Sequence, residues 1–430
     1  MSSAVFRLVN IKRGGDLFKK GLFKQFMSLA SIQVVNLFIP LLIIPYVSRI
    51  LGPEKIGLIN FATSFLTYFT LIVNYGFDLS ATREISLHRE DMNYVNEIVN
   101  TTLFCKALLF VLSSIFYFAI VLLSKTYSGE LYLYLVSYLL LISSVFYSAW
   151  LFQGLQKLAV FTFYNLVFRI LSLGFIFFLV RTKDDYNIYQ LISGLAALLT
   201  AIVTLQIARK RYQLRYYTVG FKKVFYKIRS SFALFLSVVI VNFNTTSTII
   251  LLGFLTNYLI VGYYTAAMKV YSVVASLSLF PLNQVMYPHM AQEFKKSREN
   301  GILFIRKIIP RILFVFSLVS ILLIICSKLI IHILYGDQFA DSVNLLKLLA
   351  PLLVVSTLVN IICYQVMLNL KMDRYFLGIN AIGFLVNIVL SLMLVPVFKA
   401  YGTCWSLYLI EVTIILVSLA VLKKNKIKLF

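Results

Sequence analysis

Long apolar stretches of 18 to 25 residues follow one another along almost the whole chain, separated by short polar segments. At 1.5 Å per residue such a stretch matches a bilayer core of roughly 30 Å. Lipid offers the backbone no hydrogen-bond partners, so each stretch is expected to be a helix. The pattern predicts twelve spans, at about 26–46, 57–77, 98–123, 130–152, 160–180, 188–208, 232–255, 259–282, 312–333, 345–368, 376–398 and 401–422. Every connection is short. The one at 209–231 has room only for an amphipathic segment.

Composition supports this picture. Hydrophobic residues make up 60% of the 430, the mean hydropathy is +0.89, and only 13% are charged. Soluble domains carry about 25% charged residues, so this chain lacks the surface that keeps a soluble fold dissolved. Of the 40 Lys and Arg residues, 29 fall on one side if the N-terminus is placed in the cytoplasm. They include six from Arg7 to Lys24, eight from Arg209 to Arg229, six from Lys295 to Arg311, and four in the tail from Lys423. The positive-inside rule then places both termini in the cytoplasm. The net charge of +24 is read as topogenic and as contact with anionic lipid headgroups, not as a nucleic-acid surface. The stretch Lys12–Lys24 reads as an interfacial helix and uncleaved anchor.

Chemistry is sparse. Cys105, Cys326, Cys363 and Cys404 lie inside spans, with no CxxC and no His at ligand spacing, so neither a disulfide nor a metal is expected. His88, His289 and His332 receive no role. There is no phosphate-cradling glycine loop, no nucleophile elbow and no outer loop large enough for a catalytic site. No cofactor is implied, and transport is favoured over catalysis.

A weak internal repeat points the same way. Gly57 and Ala62 are echoed by Gly262 and Ala267 at an offset of 205, with Leu51-Gly52 and Leu252-Gly253 ahead of them. A second echo pairs Leu155 to Asn165 with Leu370 to Asn380. Halves of six spans have the same orientation and are related by an axis along the membrane normal. The expected organisation is a basic segment 1–25, an N-lobe 26–208, a basic linker 209–231, a C-lobe 232–422 and a basic tail 423–430. The fold class is thus an all-α polytopic membrane protein of about twelve helices, in two six-helix lobes with a central cleft.

Charges inside a membrane cost about 2.5–3.5 kcal/mol each on insertion scales and usually face a cavity. The candidates are Lys106, Arg169, Lys269, Lys347 and Glu411. Several stand on polar stripes at helical spacing. Thr265, Lys269, Ser272 and Ser276 form one; Thr162, Asn165, Arg169 and Ser172 another. Asn60, Ser64, Thr67, Asn74 and Asp78 line one face, and Thr102, Lys106, Ser113 and Tyr117 another. Asn242, Asn244, Thr245 and Thr246 lie near mid-depth. Hydrogen bonding between helices is the plain alternative for every stripe, and snorkelling for Lys106 and Lys347. Glu411 either pairs with Lys269 or carries a proton. Because the intramembrane charges are mainly cationic, the cargo is expected to be anionic.

The run Pro45-Tyr46-Val47-Ser48-Arg49-Ile50-Leu51-Gly52-Pro53-Glu54-Lys55-Ile56-Gly57 resembles the start of bacterial polysaccharide flippases. So do Asn74-Tyr75-Gly76-Phe77-Asp78, Ala81-Thr82-Arg83-Glu84-Ile85-Ser86, Trp150-Leu151-Phe152-Gln153-Gly154-Leu155, Val261-Gly262-Tyr263-Tyr264-Thr265-Ala266-Ala267 and Tyr335-Gly336-Asp337-Gln338-Phe339. These segments span nearly the whole chain in the family's order. The chain departs from the family at Ala149 and Gln156, where carboxylates are common, so no role is carried over there.

The resemblance implies an O-antigen-type flippase of the multidrug/oligosaccharidyl-lipid/polysaccharide exporter superfamily, with a MATE-like fold, in the bacterial inner membrane and serving lipopolysaccharide biosynthesis. It implies a polyprenyl-diphosphate-linked oligosaccharide as cargo, moved from the cytoplasmic to the periplasmic leaflet by alternating access. Membrane lipids and other membrane proteins of polysaccharide assembly are the implied partners. The diphosphate is then expected against Arg169, Lys269, Lys106 and Arg49. Asn60, Asn74, Asn165, Asn242, Asn244, Thr265 and Ser272 are expected to line the cleft, with Asp78 and Glu411 as candidates for ion coupling. The alternative is a small-molecule or drug antiporter on the same fold, whose cavity should be acidic. A membrane glycosyl-transfer enzyme ranks below both, for lack of a catalytic loop.

Overall fold

The computed structural model describes residues 42–425 and 427, without the side chains at 125, 126, 241, 243–245, 281 and 285. The basic segment 1–25, most of the first expected span, the end of the tail and the side chain of Asn244 therefore lie outside the described residues. Those described form helices and no strand. Among the described residues eight helices are long and apolar enough to cross a membrane, nine if one bent pair counts as a single span.

The helix breaks follow from backbone chemistry. Helical residues 42–74 divide at Gly52, whose φ of +72° is left-handed. Pro53 then opens the second piece, where its fixed φ suits a first helical turn. We call these α1 (42–51) and α2 (53–74). A second left-handed step, at Tyr75 and Gly76, leads into the short α3 (Phe77–Leu87). Asp91 caps α4 (Met92–Leu123) by accepting from the backbone N–H of Asn93 and Tyr94. α5 (Leu131–Phe146), α6 (Ala149–Gly154), α7 (Leu158–Leu179) and α8 (Tyr186–Arg211) follow.

The second half holds α9 (Phe221–Leu255), α10 (Tyr258–Lys296) and α11 (Arg298–Tyr335). A broken span comes next: α12 (Ala340–Leu349) and α13 (Leu352–Val359), which runs on in π-helical form through Asn360–Met367. The last 52 helical residues, Asp373–Lys424, would be about 78 Å long if straight, more than twice the bilayer core. They fold back at Lys399, which has φ +53° and ψ −129°, giving α14 (373–398) and α15 (400–424). Gly402 lets the return strand of this bend close up: a Cβ there would lie 2.3 Å from the Leu394 carbonyl oxygen.

Most helix ends fall near the ends of the expected apolar stretches. The exceptions are α9, α10 and α11, whose ends at 221, 296 and 298 lie well beyond them. Hydropathy detects only the lipid-facing part of a helix, whereas the hydrogen-bonded ladder continues into water.

The buried apolar side chains gather mainly by chain half. One large cluster takes all its buried residues from Leu252 to Ile427. A second runs from Val47 to Ile192 and adds only Ile250. Two smaller clusters lie within 77–224. Basic segments 209–223, 295–311 and 423–424 share one face of the bundle; Arg298, for example, donates to the Asn425 carbonyl. The loops near residues 52, 129, 182, 257 and 336 make the opposite face.

Candidate functional site

A cavity of about 630 Å³ lies between the two helical assemblies. Its walls come from α1, α2, α7 and α8 on one side and α10 on the other, with Tyr147, Ile249 and Tyr335 at its edges. The expected residues Asn60, Asn165, Arg169, Thr265, Lys269 and Ser272 all line it. Arg169 is half-buried and Lys269 exposed to the cavity. The two cations, one from each assembly, are near enough to act on each other electrostatically. Among the described residues neither forms an ion pair with a carboxylate within 4.0 Å. Lys269 is thus not paired with Glu411.

The weak repeat becomes a symmetric contact in three dimensions. Gly57 and Gly262, 205 residues apart, sit where α2 crosses α10. A Cβ on Gly57 would be 1.8 Å from the Tyr258 carbonyl oxygen, and one on Gly262 would be 1.9 Å from that of Pro53. Pro53 and Tyr258 are themselves 205 apart, so the two contacts are one contact seen from both sides of a two-fold axis. One turn deeper, Asn60 Nδ2 donates to Thr265 Oγ1 at 2.9 Å, again across 205 residues. Other links close the same seam toward the face opposite the basic one. Ser48 donates to the Leu334 carbonyl at 3.0 Å, Arg49 Nη2 to the Ile333 carbonyl at 3.0 Å and the His332 carbonyl at 3.3 Å. Phe61 meets Phe254 and Tyr258 edge-on or tilted just beside them.

Several expected residues stand elsewhere. Lys106 is fully buried in the first assembly and away from the cavity lining. Its ammonium donates to Asp78 Oδ1 and Asn74 Oδ1, each at 3.0 Å, and to the Ser144 carbonyl at 3.5 Å. Its stripe on α4 points at the left-handed turn that brings Asn74 and Asp78 inward, so all three are consumed by one another. Arg49 is exposed at the seam and not on the cavity wall. Asn242 donates to the Val238 carbonyl of its own helix. Lys347 is exposed. Glu411 is packed inside the C-terminal assembly, where its Oε1 accepts from Ser356 at 2.9 Å and its Oε2 has no hydrogen-bond partner among the described residues.

The cavity also contains a wall that the sequence reading passed over. Tyr189, Ser193, Ala196, Ala197 and Thr200 of α8 line it. Positions 189, 193, 196 and 200 have the same helical spacing as the other stripes. They lack a charge, and that absence hid them.

Architecture and cavity define a polytopic helical membrane protein with the fold of MATE-type transporters. The fold matches the lipid II flippase MurJ in its inward closed conformation, with a TM-score of 0.71 at 15% identity over 93% of this chain and 87% of that one. It also matches an inward-facing multidrug resistance MATE family transporter of the MOP superfamily, at 0.63 and 14% identity over 92% and 94%. The chain belongs to the polysaccharide biosynthesis protein family, whose model matches residues 22–294. A relative in Escherichia coli (strain K12), named "Putative O-antigen transporter", is 27% identical over 95% of this chain and 98% of its own length. Together these findings uphold the flippase resemblance seen in the 45–57 and 261–267 segments.

Proposed function

We propose that this protein is a flippase that moves a polyprenyl-diphosphate-linked oligosaccharide across the bacterial inner membrane. The observation that carries the reading is the pair Arg169 and Lys269: two cations with no carboxylate partner among the described residues, facing one cavity at the junction of two helical assemblies. Such charges are costly in a membrane unless an anion completes them. A diphosphate leaving water needs fixed positive charge to replace its hydration. The hydroxyl and amide groups around the pair suit the sugars, and the polyprenyl tail stays in lipid. The likeness in fold to a lipid II flippase and the sequence likeness to an O-antigen transporter support the same assignment.

In this reading both termini are cytoplasmic, residues 26–208 and 232–422 act as the two lobes, and 209–231 joins them. The Gly57–Gly262 seam then closes the periplasmic side, and transport requires the lobes to rock apart there. The protein is a transporter rather than an enzyme. With Asp78 held by Lys106, Glu411 is the candidate for cation coupling. A drug-antiporter reading fits less well, because among the described residues no carboxylate lines the cavity. Deleting the gene tests the proposal. A lipid-linked oligosaccharide should accumulate facing the cytoplasm and surface polysaccharide should disappear; normal surface polysaccharide with no accumulated intermediate would refute it.

A further inference from the structure

The charges available to the cavity can be counted. Arg169 and Lys269 are the charged residues that line it among the described residues. The part of the first span outside them, 26–41, contains no Asp, Glu, Lys or Arg. Neither do positions 241, 243–245, 281 and 285. Part of the polar remainder is already spent as donors. Thr67, Ser172, Ser193, Thr200 and Thr265 each line the cavity, and each gives its hydroxyl hydrogen to a carbonyl of its own helix, at 2.7 to 3.2 Å. Such back-bonding is common in membrane helices. Its consequence here is that these oxygens present only lone pairs to whatever enters.

We infer that the cavity takes a lipid-linked glycan that is electrically neutral, and that a carboxylated, uronate-bearing glycan is disfavoured. This inference rests on the flippase reading. A diphosphate linkage has one ionised oxygen on each phosphorus, and the cavity supplies one cation for each. A uronate adds a third negative charge with no third cation among the described residues that line the cavity. A carboxylate only accepts hydrogen bonds, so those five hydroxyls do not serve it, and the donors left in the lining, such as the Asn165 amide and the Tyr147 phenol, are neutral. Neutral sugars are rich in hydroxyl donors, which this wall is made to accept. Thr67, Ser193 and Thr200 are among the hydroxyls of the lining that offer such acceptors.

The test uses the purified full chain in lipid nanodiscs. Two probes are titrated at neutral pH and binding is read by native mass spectrometry. One is a polyprenyl diphosphate carrying a trisaccharide of neutral hexoses. The other is identical except that its terminal hexose is oxidised at C6 to the uronate. The neutral probe should bind at least about tenfold more tightly. A third cation, introduced as Thr200→Lys or Ser193→Arg, should bring the uronate probe to within a few-fold of the neutral one. Equal or tighter binding of the uronate probe to the unaltered protein overturns this inference and leaves the flippase reading standing. Binding of neither probe overturns both.

Discussion

Lys106 and Lys269 look alike in the sequence: each is a lysine on a polar stripe of an apolar helix. In the structure they are opposites. Lys106 is wholly buried, and a carboxylate, an amide and a carbonyl surround its ammonium. Lys269 faces open space beside a second cation, with no acid within pairing distance among the described residues. The role of an intramembrane charge is set by what faces it, and only the unpaired one has capacity left for a ligand. Lys106 ties α4 to the turn between α2 and α3; it is part of the scaffold on which the site is built.

The strongest way to break this contrast is to remove the partner of the buried lysine. Asp78→Ala leaves Lys106 charged and uncompensated, which typically costs about 3–5 kcal/mol. Membrane abundance should collapse, as measured by quantitative immunoblot. Lys106→Met combined with Asp78→Ala should recover much of it, because no unpaired charge remains. Full abundance of Asp78→Ala alone would mean that the ion pair is not structural.

The seam comes next. Gly262→Val places a side chain where even a Cβ meets the Pro53 carbonyl oxygen. Overpacking of this kind costs about 1–3 kcal/mol or more, and relief requires α2 and α10 to part. A cysteine at Thr63, on the cavity wall, should then react several-fold faster with a membrane-impermeant thiol reagent added from the periplasm. Unchanged labelling would contradict the assignment of the seam as the closed gate.

Arg49→Ala should act in the same direction but more weakly. It loses two exposed hydrogen bonds to carbonyls, worth up to about 1 kcal/mol together. Labelling of the Thr63 cysteine should rise about two-fold or less, with export nearly intact. A loss of export as complete as that expected for Arg169 would move Arg49 into the binding site.

The smallest effect lies outside the membrane. The backbone N–H groups of Arg181 and then Thr182 hold the Asp185 carboxyl below its ordinary range. A lowered value means that the turn is supported at neutral pH, and that the support is lost only as pH falls through that value in acid. Asp185→Asn should lower the hydrogen-exchange protection factors of the Arg181 and Thr182 amides at pH 7 and leave those factors insensitive to acid, where the wild-type factors fall.

The contrast also marks what a sequence reveals. The many-helix membrane architecture and the fold-back near Lys399 were legible because bilayer thickness imposes a length that apolar runs must match. The 205-residue echo was legible because glycines cannot be replaced where backbones touch. Arg169 and Lys269 were legible as charges whose polar stripes continue along the helix. The fate of Lys106 was hidden because its partner lies 28 positions away, across a left-handed turn at Tyr75 and Gly76. Arg49 belongs to a seam with residues nearly 300 positions distant. The Ser193 and Thr200 wall was hidden because uncharged hydroxyls on a membrane helix serve equally as glue.

The central claim is that Arg169 and Lys269 hold the diphosphate, and reconstituted transport measures it most directly. Purified protein is placed in vesicles loaded with a polyprenyl-diphosphate oligosaccharide, and its arrival in the opposite leaflet is followed with a membrane-impermeant sugar-modifying enzyme. Wild type should translocate the lipid. Lys269→Ala and Arg169→Ala should fall by at least about a hundredfold, matching the several kcal/mol lost with one partner of a buried charge pair. Their thermal stability should stay within about 0.5 kcal/mol of wild type, and Lys269→Arg should retain part of the activity because it keeps the charge. Wild-type rates in stable, correctly inserted Lys269→Ala and Arg169→Ala would contradict the account.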